Sequence, residues 1–94
     1  MSLWKVDLLG HEGIFDVNVG FPPGIIERHA VVLASVCELG QPQGEPLDFP
    51  FKGAAVFTLH NVVPFDDGHV ELTIDTGWNE FPINVRVYFS VNPA

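Results

Sequence analysis

The plainest regularity in this chain is alternation. Between His69 and Thr76, Val70, Leu72, Ile74 and Thr76 take one side, and Glu71, Thr73 and Asp75 take the other. Between Phe81 and Val91, Ile83, Val85, Val87, Phe89 and Val91 stand opposite Asn84, Arg86, Tyr88 and Ser90. Side chains on a β-strand point alternately to its two faces. A period of two with one apolar set therefore predicts a strand that is buried on one side and wet on the other. Ile14–Phe21 repeats the pattern, with Phe15, Val17, Val19 and Phe21 against Asp16 and Asn18. Leu3–Leu9 does the same, with Trp4, Val6 and Leu8 against Lys5 and Asp7. The expected main core is Val70, Leu72, Ile74, Ile83, Val85, Val87 and Phe89.

Turn residues punctuate these runs. Gly10-His11-Glu12-Gly13 reads as a hairpin loop, and Pro22-Pro23-Gly24 ends the second strand, because proline cannot continue a central ladder. Pro64 to Gly68 and Gly77 to Glu80 read as further turns. Gly40 to Pro50 is the longest loop signal, with three prolines and two glycines. Phe51–Val63 reads as one strand in which Phe57, Leu59, Asn61 and Val63 oppose Val56, Thr58, His60 and Val62.

Ile25–Leu39 carries a mixed signal. Ile26, Ala30, Leu33 and Cys37 recur at helical spacing, and Gly40 would stop a helix. Val31, Val32 and Val36 are β-branched and favour a strand. A strand is preferred, with Ala30, Val32, Ala34 and Val36 on one side and Val31, Leu33, Cys37 and Leu39 on the other. Both sides are apolar. The expected fold is all-β, an antiparallel β-sandwich of about six or seven strands in a single domain over residues 1–94. The alternative is an α+β fold with one helix near 25–39.

Composition supports the β reading. Thirteen valines and eight phenylalanines dominate the apolar set, with nine glycines and eight prolines between them. An apolar share of 47% excludes intrinsic disorder. Apolar runs of only a handful of residues give no membrane helix, which needs ~20. Twelve acids against four bases, Lys5, Arg28, Lys52 and Arg86, leave a net charge of −8. Four scattered bases build no basic stripe, so neither nucleic acid nor an anionic membrane is an expected partner. Cys37 is the only cysteine, so the core must hold without an intrachain disulfide. With no secretory signal read at the N-terminus, a cytoplasmic location is expected.

Candidate chemistry is thin. His11, His29, His60, His69 and Cys37 are potential metal ligands, but their spacings match no zinc pattern. His60 and His69 flank one hairpin beside Asp66 and Asp67, yet Asp-Asp-Gly is ordinary turn chemistry. No metal and no cofactor are expected. Cys37, in an apolar stretch, reads as a core cysteine rather than a nucleophile. Phosphate cradles, nucleophile elbows and CxxC pairs are absent, which lowers the expectation of an enzyme. Trp78, Phe49, Phe51 and Phe65 sit in loops, where they would plug the ends of a sandwich or line a site.

The expected function is a non-catalytic binding or self-assembly module. The motive is surplus apolar surface, because strands of a two-sheet sandwich should be wet on one side and Ile25–Leu39 is not. A homodimer or small homo-oligomer, or a complex with another protein, would cover it, with Val31, Val32 and Leu33 in contact. The alternative is a small-ligand-binding or enzymatic domain, with a loop-built pocket that uses His60, Asp66, His69 and Trp78.

Overall fold

A computed structural model describes residues 1–40 and 46–92. The strands are β1 (Ser2–His11), β2 (Ile14–Gly20), β3 (Val31–Gly40), β4 (Phe49–Phe51), β5 (Thr58–Pro64), β6 (His69–Asp75) and β7 (Ile83–Asn92). They form two antiparallel sheets, sheet A in the order β1-β7-β3-β4 and sheet B in the order β2-β6-β5. The two pack face to face as a β-sandwich. No helix occurs among the described residues, so none crosses a membrane.

The core lies where the alternation points. From β7, Val85, Val87, Phe89 and Val91 are fully enclosed, and from β6, Val70, Leu72 and Ile74 meet them across the sandwich. Trp4 packs edge-on against Phe21, and Phe21 against Phe89, with ring centroids 5.3 and 5.5 Å apart. Thr76 brings a hydroxyl into this interior. Its oxygen lies 2.8 Å from the Trp78 carbonyl and 3.1 Å from that of Gly13, and accepts from the Trp78 N–H at 3.2 Å. Those bonds offset the cost of burying it.

Four local readings change. Gly10 to Gly13 is a corner and not a hairpin, because β1 pairs with β7 in sheet A while β2 pairs with β6 in sheet B. Gly10 and Gly13 take φ of 74° and 68° there, a region glycine enters without a Cβ penalty. Second, Phe51–Val63 is two strands in different sheets. The chain leaves sheet A after β4 and crosses through residues 52–57 to enter sheet B as β5.

Third, β5 contains a bulge. Asn61 takes φ of 50°, and three residues from His60 to Val63 advance against two on β6. The extra residue reverses the alternation, so Val62 packs inward with Leu59, and Val63 is exposed. Fourth, the strand in Ile25–Leu39 begins only at Val31. Residues 25–30 form turns, with the Ile25 N–H donating to the Pro22 carbonyl and the Ala30 N–H to that of Glu27. This segment folds Ile26 and Ala30 into one end of the core. Of the residues that suggested a helix, Ile26 and Ala30 are this plug, and Leu33 and Cys37 belong to the outward side of β3.

Candidate functional site

The outward positions of sheet A make its most unusual surface. Strand register places Leu3, Ser90 and Leu33 in one row across β1, β7 and β3. Lys5, Tyr88 and Ser35 form the next row, and Asp7, Arg86 and Cys37 the third. Asn92 and Val31 pair at the near end. Leu3 is 75% exposed, Leu33 64% and Val31 55%, and Tyr88 is also exposed. Toward the other end the same face is closed over, since Arg86 and Leu39 are buried. The apolar exposure is therefore concentrated on one half of the face. Isolated exposed leucines are common, whereas contiguous ones on a flat sheet suggest contact with another surface.

Charge is distributed unevenly around the molecule. Among the outward residues of β1, β3 and β7, the only acid is Asp7, and Lys5 and Arg86 supply two of the four bases of the whole chain. Arg86 grips Asp7 with both prongs, Nε to Oδ1 at 2.7 Å and Nη2 to Oδ2 at 3.1 Å. The hydrogen bond from Arg86 holds the Asp7 carboxyl below its usual range, and Asp7 in turn raises the guanidinium. Arg86 also lies 6.0 Å from the Tyr88 ring centroid. Cys37 Sγ is 3.7 Å from the Tyr88 hydroxyl. Cys37 thus sits half-buried on this outer face, not in the core where its apolar neighbours suggested.

Of the residues expected at a contact, Val31 and Leu33 lie on this face. Val32 points the other way and packs against the core. The residues expected around a pocket are not brought together. Asp66 and His69 share the β5–β6 turn but have separate partners. Asp66 accepts from the Arg28 N–H at 2.9 Å, and His69 lies between Asp67 on Nδ1 and Glu71 on Nε2, the latter at 3.3 Å. Those two carboxylates sit on opposite sides of the ring, so they do not converge on one point. No group of three metal-ligating side chains gathers among the described residues. His60 is exposed midway along β5, opposite Thr73. Trp78 follows the far end of β6, whose seven residues separate it from the His69 turn by ~20 Å or more.

The residues on sheet A's face that the sequence reading passed over are Leu3, Lys5 and Tyr88. Their signal is readable in hindsight, since Leu3 and Tyr88 are large apolar groups at outward positions of otherwise clean alternations. The fold class that the architecture defines is an antiparallel β-sandwich, with seven strands among the described residues. Comparison with protein families, with curated proteins and with solved structures finds no match.

Proposed function

We propose that this chain is a self-associating β-sandwich, in which two copies pack through the outer faces of their A sheets. The observation that carries the reading is the coincidence of apolar exposure with scarce negative charge. Leu3, Val31, Leu33 and Tyr88 stand on a surface where the one acid among the outward positions of β1, β3 and β7 is already held by Arg86. A chain of net charge −8 repels its own copy over most of its surface. On this face Lys5 and the Asp7–Arg86 pair remove that penalty, so a symmetric contact brings no unpaired carboxylates together. A face shared by two copies across a two-fold axis is the commonest way to bury such a patch.

Size is adequate. The molecule extends 41 × 24 × 16 Å, and its broad side accommodates the ~800 Å² that each partner contributes to an ordinary interface. The contact would be non-catalytic. A lone free cysteine and a core without a disulfide suit a reducing compartment, the cytoplasm among them. Analytical ultracentrifugation of the wild type beside Leu33→Glu tests the proposal. A dimer that Leu33→Glu dissociates supports it, and a monomeric wild type at high micromolar concentration refutes it.

A further inference from the structure

The inward positions of β3 run Val32, Ala34, Val36 and then Glu38, an acid where the alternation calls for an apolar residue. Glu38 is half-buried, and none of the ion pairs among the described residues involves it. It lines a groove of about 500 Å³ between the end of β3 and the segment that leaves β4, with Val36, Phe51, Ala55 and Phe57 among the other walls. A smaller recess of about 180 Å³ shares Glu38 and Phe51 and extends to Trp78 and Phe81. Those two rings meet edge-on at 5.3 Å. Gly53 keeps the space open, because a Cβ there would collide with the Glu38 carboxylate and come within 3.1 Å of the Phe51 ring.

Among the described residues, the carboxylate loses water without gaining a hydrogen-bond or ion-pair partner. Burial accordingly pushes the Glu38 carboxyl above its usual range. A cation would reverse that cost, and the aromatic walls would favour the same charge while covering an apolar body. We propose that this groove binds a small ammonium compound with an aromatic or branched apolar arm, its cation on Glu38 and its arm against Phe51 and Phe57. The wall's own cation, Lys52, is exposed to solvent and lies at the rim. The groove is formed within one copy, and its outer edge, Cys37 and Tyr88, borders the face proposed for self-association.

The test is a titration with phenethylammonium chloride, followed by the two tryptophan indole N–H signals in ¹⁵N-correlated NMR spectra. The neutral isostere 2-phenylethanol serves as the control on the wild type. The Trp78 signal, from the recess, should move saturably while that of Trp4, in the core, stays. A charge-assisted contact implies that the alcohol, and the amine on Glu38→Gln, bind roughly 10- to 100-fold more weakly. Glu38→Gln should fold at least as well as the wild type, since it removes a disfavoured charge. Equal binding of amine and alcohol, unchanged binding to Glu38→Gln, or a response confined to Trp4 would each overturn the assignment.

Discussion

The two outer faces of this sandwich arise from the same period-two pattern and yet differ in kind. On sheet B, the outward residues include Asp16, Asn18, Glu71, Thr73 and Asp75, and they are tied into local hydrogen bonds. Thr73 donates to Asp16 at 2.7 Å, and Asp75 accepts from the Gly77 N–H at 2.9 Å. Ile14 is the main apolar exception on β2. On sheet A, the outward residues include Leu3, Val31, Leu33 and Tyr88 among Lys5, Ser35, Ser90 and Asn92, and the one acid at the outward positions of β1, β3 and β7 is bound to one arginine. Alternation decides which side of a strand meets the core. The chemistry of the other side is free to vary, and there sheet A gains nothing from water that would explain its leucines.

The comparison can be broken most severely by turning a charge inward. Val31 and Val32 are neighbours on β3 that face opposite ways. Val32→Glu places a carboxylate between the sheets and should cost about 4 kcal/mol or more, enough to unfold a domain of this size. Val31→Glu should leave the monomer's unfolding free energy nearly unchanged and lower the midpoint only by the stabilisation that association gave the wild type, a difference that fades on dilution. Circular dichroism melts of the pair distinguish the two.

Phe89 and Tyr88 form a similar pair on β7, one enclosed and one exposed. Phe89→Ala should lower unfolding free energy by ~3–5 kcal/mol in urea titrations, because the ring it removes touches both sheets through Phe21. Tyr88→Ala should stay within about 1 kcal/mol in the monomer.

Smaller effects sharpen the contrast between the faces. Leu33→Glu should weaken dimerisation by roughly 100-fold, since two new carboxylates would meet in an apolar contact. Thr73→Glu, its counterpart on the face of sheet B, should leave the association constant unaltered. Smallest is the contribution of Asp7. Its folded-state value lies below the ordinary 3.8, so it supplies stability above that value which is lost as pH falls through the lower folded one. Asp7→Asn should therefore flatten the stability–pH profile below about pH 4 and leave its neutral shape unchanged.

How much of this was legible depended on range. β6 and β7 could be read residue by residue, because Val70 to Thr76 and Ile83 to Val91 alternate without interruption. The Asn61 bulge could not, since Val62-Val63 offers an apolar residue to either face and only pairing with β6 selects Val62. Glycines at 10 and 13 signal a reversal of the chain, yet they do not say which sheet receives the next strand. That is set by pairing with β6 and β7, which lie 49 to 89 residues away in sequence. The helical spacing of Ile26, Ala30, Leu33 and Cys37 joined two residues packed as a plug to two on the outward side of β3, so it marked no repeating element. The residues named for a pocket lie apart because His69 and Trp78 belong to opposite ends of β6. The acid at Glu38, by contrast, was open to view as a break in β3's inward series.

The central claim is that the outer face of sheet A is a contact between two copies. Sedimentation equilibrium of the wild type, run at low salt and again at 0.5 M salt, addresses it most directly. Burial of Leu3, Val31 and Leu33 predicts a species of twice the 10.3 kDa chain mass, at least as stable in high salt, where repulsion between acidic chains is screened. A 10.3 kDa monomer at high micromolar concentration in both conditions would contradict the account.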